Sequence, residues 1–166
     1  AAFLRAHVFA PSDLSRIDID ANRLDLATQF GATHVIDNTD GAAAAAVLAR
    51  TGGRGVDVAI EALGMPVSFD VCQAIVAAGG RIANIGVHGA PVTVPMQDMW
   101  IRNITMTMGL VDTVSIPVLL KMVASGRIKS EKMGTHTFTF DQIDEAYDVF
   151  KNASANSALK VVLKPA

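Results

Sequence analysis

Cysteine is almost missing from this 166-residue chain, with Cys72 standing alone. No disulfide can close within it, and no all-cysteine structural zinc site can be built from it. Aromatic residues are sparse at 5% and charged residues amount to 18%. The 14 basic and 16 acidic residues leave a net charge of -2, and the basic ones are scattered. There is no cationic stripe to follow a phosphate backbone, which argues against nucleic acid as a partner. Long apolar runs are lacking too. Residues 42–48 and the interrupted run 1–10 fall short of the roughly 18 residues that a membrane span needs. Arg5 and His7 break the second run where a secretory signal stays apolar. The expectation is a soluble, cytoplasmic protein. The four histidines, Cys72 and the acids show no metal-ligand spacing, so no metal site is expected either.

What is present is apolar: 51% of residues, enough for a full core in one domain, or in one domain with part of another. Leu4, His7 and Val8 have helical spacing, and Pro11-Ser12 ends a helix predicted over residues 1–9. Residues 14–18 read as a short strand, 22–30 as a helix ended by Gly31, and 33–36 as the next strand. Residues 42–50 form a helix, 56–61 a strand, 67–78 a helix running to Gly79-Gly80, and 81–86 a strand. This alternation predicts an α/β fold with a doubly wound parallel sheet. Beyond Gly86 come a strand at 104–108, a helix at 116–125, and a half-exposed strand at 135–140. Asp141 is expected to cap a helix over 143–150, and 159–163 make a last strand.

Asp18, at the end of the first predicted strand, is the strongest local signal. In a dinucleotide-binding βαβ unit, the acid that takes the adenosine ribose lies about 20 residues after the glycine-rich turn. Counting back from Asp18 places that turn at or before Ala1, so the phosphate loop is expected to be missing rather than altered. An acid there accepts ribose hydroxyls and repels a 2'-phosphate, favouring NAD over NADP. The plainer reading is a solvated strand-end aspartate, and Asp20 is a possible substitute. Arg23 either lies along the adenosine or is an ordinary exposed helix arginine. Glu61-Ala62-Leu63-Gly64 and Ile85-Gly86-Val87-His88-Gly89 each follow an apolar strand. Ligands of open α/β sheets lie beyond such carboxyl ends, where small residues let a flat ring approach the backbone; each glycine alone reads equally as a plain turn. His88 has the chemistry of a proton relay, but no carboxylate visible in the sequence orients it, and no catalytic residue is assigned.

Taken together, Ile17-Asp18, Asn22-Arg23-Leu24, Phe30-Gly31-Ala32-Thr33, Thr51-Gly52-Gly53-Arg54-Gly55-Val56-Asp57, Glu61-Ala62-Leu63-Gly64, Gly79-Gly80 and Ile85-Gly86-Val87 resemble the medium-chain dehydrogenase/reductase superfamily, specifically its zinc-dependent alcohol dehydrogenases. Order and spacing agree over nearly the whole chain. The resemblance implies a Rossmann-type sheet lacking its first strand and glycine-rich loop over residues 1–130. Residues 131–166 would return to a catalytic domain. It implies that Asp18 and Arg23 meet the adenosine ribose, that Ala62, Leu63 and Gly64 flank the adenine side, and that Ile85, Gly86 and Val87 border the nicotinamide. Gly109 and Val111 would approach the nicotinamide through backbone groups. Lys160 falls near the pyrophosphate, or is a plain strand-edge lysine. The cofactor implied is NAD. Zinc, the proton relay and the pocket for an alcohol or carbonyl substrate would belong to a domain upstream of Ala1, leaving this chain inactive by itself. A homodimer or homotetramer pairing through residues 104–108 is implied too.

Three rivals are weighed. A zinc-free NADPH-dependent quinone or enoyl reductase shares the superfamily, but Asp18 opposes it. A non-catalytic nucleotide-binding module would lack the catalytic domain altogether. A Rossmann-type methyltransferase also places an acid on a ribose, but accounts for neither Ile85-Gly86-Val87 nor the tail.

Overall fold

The computed structural model describes residue 6, residues 8–110 and residues 113–165. Most of the helix predicted over 1–9 lies outside the described residues, as does Val111. The chain divides into two units, one made of residues up to Asp37 with those from Val114 onward, the other of Asn38–Thr113.

In the first unit, β1 (Ser15–Asp18), α1 (Ala21–Gln29) and β2 (His34–Asp37) form a βαβ unit. The two strands pair in parallel, from Ser15 opposite His34 to Asp18 opposite Asp37. Asp20 starts α1: its backbone is extended and its carboxylate accepts from the Arg23 N–H at 3.1 Å, satisfying one of the free donors of the first turn. The helix buries Leu24 and Ala27. After α5 (Ile116–Ala124), β6 (Gly134–Thr139), α6 (Ile143–Lys151) and β7 (Lys160–Lys164) repeat the motif as a second parallel pair. The expectation that Asp141 caps α6 is corrected here. A short 3-10 turn, Phe140–Gln142, precedes the helix, and Thr139 and Gln142 form a reciprocal capping box around it. Gln142 then stands at the start of α6 without a side-chain cap.

The second unit holds α2 (Ala43–Arg50), β3 (Val56–Glu61), α3 (Pro66–Ile75), β4 (Val76–Asn84), α4 (Met96–Met99) and β5 (Thr105–Met108). Its sheet has the order β3-β4-β5, parallel throughout, with Ala59, Glu61 and Ile82 buried and Val58 and Ile60 of β3 exposed. Asn38 accepts from the Ala43 N–H and Asp40 from the Ala42 N–H, which fixes the start of α2. Ala43, Val47, Ala59, Phe69, Cys72, Ile75, Val76, Ala77 and Ile82 are buried and form the core.

One boundary differs from expectation. The helix predicted to reach Ala78 stops at Ile75, and Val76 is already extended, opening a strand that runs through Gly79-Gly80. β-branched Val76 favours the pleated sheet and pairs with Val56. A register shift between Val56 and Val58 absorbs the glycine pair. The glycines that read as a helix stop are thus inside a strand. Gly80 is packed so closely that a Cβ there would lie 2.8 Å from the Ala77 carbonyl oxygen. Among the described residues, seven strands form a mixed α/β architecture of parallel sheets, the Rossmann-like class expected. No described helix is long and apolar enough to cross a membrane.

Candidate functional site

β3 ends on Glu61, a carboxylate only 1% exposed. An apolar parallel strand tolerates it because the turn that follows supplies donors. Its Oε1 accepts from the Leu63 and Gly64 N–H groups, each at 2.9 Å, and from Ser68 Oγ at 2.6 Å. Its backbone carbonyl accepts from the Ile85 and Gly86 N–H groups at 2.9 and 3.2 Å, joining the ends of β3 and β4. Two glycines permit this approach. At Gly64, φ is +85° and a side chain would strike the Val87 carbonyl; at Gly86, it would strike the Glu61 carboxylate and the Gly64 amide.

The other carboxylate oxygen, Oε2, faces His88 Nε2 at 3.4 Å. That ring nitrogen also lies 2.8 Å from Asn84 Oδ1, and the imidazole stands edge-on to Phe69 with centroids 5.9 Å apart. Burial pushes the Glu61 pKa up, but the Ser68 hydroxyl, the Gly64 and Leu63 amides and the charge of His88 outweigh it and hold the group below its ordinary value. Glu61 is therefore ionised at neutral pH. Burial first, and then this carboxylate, push the nearby Cys72 thiol up to about 11. Cys72 is a buried, inert hydrophobe.

Beside this cluster lies a cavity of about 350 Å³ lined by Asn84, Ile85, Gly86, Val87, His88, Gly109 and Leu110. Of the residues singled out from the sequence, it brings together Ile85, Gly86, Val87 and Gly109. Ile85 and Val87 are exposed, and the backbone at Gly109 has open space around it. Ala62 and Leu63 are exposed at the end of β3, while Gly64 is buried in the turn. A flat ring fits such a wall, since the backbone is bare there.

In the first unit, Asp18 closes β1 with its side chain only 9% exposed. Its Oδ1 accepts from the Ile19 N–H at 2.9 Å and the Asp20 N–H at 3.3 Å, and its Oδ2 takes the Arg16 guanidinium at 2.5 Å. This is an ordered carboxylate, not the freely solvated aspartate of the plainer reading. Asp20 is occupied elsewhere: a hydrogen bond from Ser154 leads the causes that lower its pKa, and it also caps α1. Arg23 is exposed on α1, and Lys160 is exposed at the start of β7, where its carbonyl accepts from Thr135 Oγ1.

The pairing of Glu61 with His88 overturns the expectation that no carboxylate orients this histidine. The two are far apart in sequence and meet only because β3 and β4 pair in parallel. A glutamate directly after the apolar run of residues 58–60 was the available signal. Among the described residues, no group of three His, Cys, Asp or Glu side chains stands ready to hold a metal ion. A zinc ion does not fit these residues, and no chemical step is assigned to one here.

A family model described as a zinc-binding dehydrogenase matches residues 13–125. The chain is 29% identical to an alcohol dehydrogenase of Cupriavidus necator over 96% of its own length and 44% of that protein. It is 26% identical to a sorbitol dehydrogenase of Arabidopsis thaliana over 96% of itself and 45% of that protein. Its fold matches the apo form of zinc dependent alcohol dehydrogenase 2 from Streptococcus pneumonia with a TM-score of 0.94 and 45% identity, covering 99% of this chain and 48% of that one. The chain spans less than half the length of these relatives. With the family model covering well over half of the chain, and with a strand-end acid and strand-end glycines where the motifs place them, the chain belongs to the zinc-binding dehydrogenases of the medium-chain dehydrogenase/reductase superfamily.

Proposed function

We propose that the chain is the NAD-binding portion of a zinc-dependent alcohol dehydrogenase that passes hydride from an alcohol to NAD. The observation that carries the reading is Asp18: a negative, ordered carboxylate at the carboxyl end of β1. A carboxylate offers about four acceptor positions; Arg16 and two backbone amides use three. The fourth would take a ribose hydroxyl, and a carboxylate, having no hydrogen to donate, would disfavour the oxygens of a 2'-phosphate. Bound NAD would supply the hydride acceptor. Ile85, Gly86, Val87 and Gly109 would border its nicotinamide, with Ala62 and Leu63 toward the adenine side, and Lys160 would lie near the pyrophosphate.

Alcohol activation on zinc would fall to residues outside those described, leaving this chain without turnover of its own. The segment 131–166 would pack on the catalytic domain, consistent with the exposed Tyr147 and Phe150 on α6. β5 ends its sheet and leaves Met108 exposed, which supports pairing of residues 104–108 across a twofold axis. A cytoplasmic site accords with the composition.

A second reading, NADP binding, draws on Arg16. Its guanidinium stands at the same strand end and could turn to a 2'-phosphate. Fluorescence titration of the chain with NADH and NADPH separates the two. Tighter NADH binding, with the preference reduced at least about tenfold in Asp18→Ser, supports NAD. A preference for NADPH that Arg16→Ala abolishes refutes it.

A further inference from the structure

We propose that Glu61 and His88 are positioning residues for the wall of the strand-end cavity: a proton on His88 Nε2 ties the buried Glu61 carboxylate to the turn after β4, and so fixes where Ile85, Gly86 and Val87 stand against a nicotinamide ring. The inference rests on reading that cavity as the nicotinamide site.

The argument begins with the ring nitrogen. Both of its polar neighbours, Asn84 Oδ1 at 2.8 Å and Glu61 Oε2 at 3.4 Å, are acceptors. The Asn84 orientation is set independently, since its Nδ2 donates to the Gly86 carbonyl. Nε2 must therefore carry the hydrogen in either charge state of the imidazole. Glu61 has a matching need. Its Oε1 takes three donors, whereas the buried Oε2 has no hydrogen-bond partner among the described residues and faces His88 Nε2 at 3.4 Å. A buried carboxylate oxygen holds a nearby donor strongly, because leaving it unpaired is costly.

The geometry leaves the turn little freedom. Gly86 sits against that same oxygen with no space for a Cβ, and Gly64 sits equally tight against the Val87 carbonyl. Any shift of the carboxylate or the imidazole is thus transmitted to the residues that line the cavity, since His88 follows Val87 directly and itself forms part of the wall. Of the groups packed around the pair, Glu61 comes from β3, Asn84 from β4, and Phe69 and Cys72 from α3. Glu61 stays ionised through neutral pH, held below its ordinary value by its hydrogen bonds, and the Cys72 thiol, pushed up to about 11, stays neutral.

The test uses the 15N-labelled full chain. Long-range imidazole spectra should show the hydrogen of His88 on Nε2, and His88→Ala should move the amide resonances of Leu63, Gly64, Ile85, Gly86 and Val87 together. Glu61→Gln removes the charge facing Nε2 and places an amide donor there, so the cavity-wall amides should move, while Asn84 Oδ1 keeps the hydrogen on Nε2. In binding, His88→Ala should weaken NADH about tenfold and leave ADP-ribose unchanged, and His88→Gln, which restores a donor, should recover most of the loss. A proton on Nδ1 in the parent chain overturns the proposal, as does a His88→Ala variant whose wall amides and NADH affinity stay put. If His88→Ala does not fold, the Glu61→Gln spectrum decides. If the chain binds neither NADH nor ADP-ribose, the nicotinamide reading fails, and the imidazole and amide spectra still judge the tie between Glu61 and His88.

Discussion

Replacing Gly86 with alanine tests the packing of the two strand ends most sharply. An added Cβ would collide with the Glu61 carboxylate and the Gly64 amide nitrogen, and would lie 2.8 Å from the Gly64 Cα. Two of these are backbone atoms of a turn held by the Glu61 hydrogen bonds, so the usual escape of rotating a flexible side chain is closed. Gly86 has no positive φ, and the whole penalty is therefore steric. Forcing an extra methyl into a packed interior costs roughly 1–3 kcal/mol, and rigid neighbours place this site at the upper end, about 3 kcal/mol. For a domain of this size each kcal/mol lowers the melting temperature by about 2–4 °C, giving a drop of about 10 °C. Scanning calorimetry or urea unfolding reads the effect, and Gly109→Ala is the control, because nothing lies within 4 Å of its added Cβ. A Gly86→Ala chain that melts within about 2 °C of the parent would show that the strand ends do not press together as described.

Glu61 ionises below its ordinary value of 4.5, so the stability it contributes is present above that pH and is lost as pH falls through the folded-state value. Glu61→Gln should therefore flatten the acid limb of a urea-midpoint-against-pH curve, and an unchanged limb would contradict the assigned hydrogen bonds. Cys72, buried with its thiol pushed up to about 11, should resist iodoacetamide at pH 8 in the native chain and react once urea unfolds it; prompt native labelling would refute its burial. Truncating Ile82, fully buried in the middle strand, to alanine should cost about 3 kcal/mol, read from the same unfolding curves.

Much of the fold was legible because its signals are local. Alternating helices and strands, Gly31 after α1, and the apolar runs of β3 and β7 each follow from propensity and turn chemistry within a few residues. One failure is a place where a distant partner outweighed a local cue, and the other one where an adjacent turn did. Gly79-Gly80 looks like a helix stop, yet pairing with β3 draws the strand back to Val76. Asp141 has the chemistry of a cap, but the turn between Thr139 and Gln142 satisfied its own donors first.

By itself, the order of residues determined the class of fold, the family motifs and the strand-end positions of Asp18 and Gly86, since each depends on short-range spacing. Tertiary structure alone decided that Glu61 meets His88 and that Ile85, Gly86, Val87 and Gly109 share one cavity. The physical reason is that a side chain's protonation and orientation depend on which acceptors and donors surround it after burial, and parallel pairing brings those together from segments that no local pattern connects.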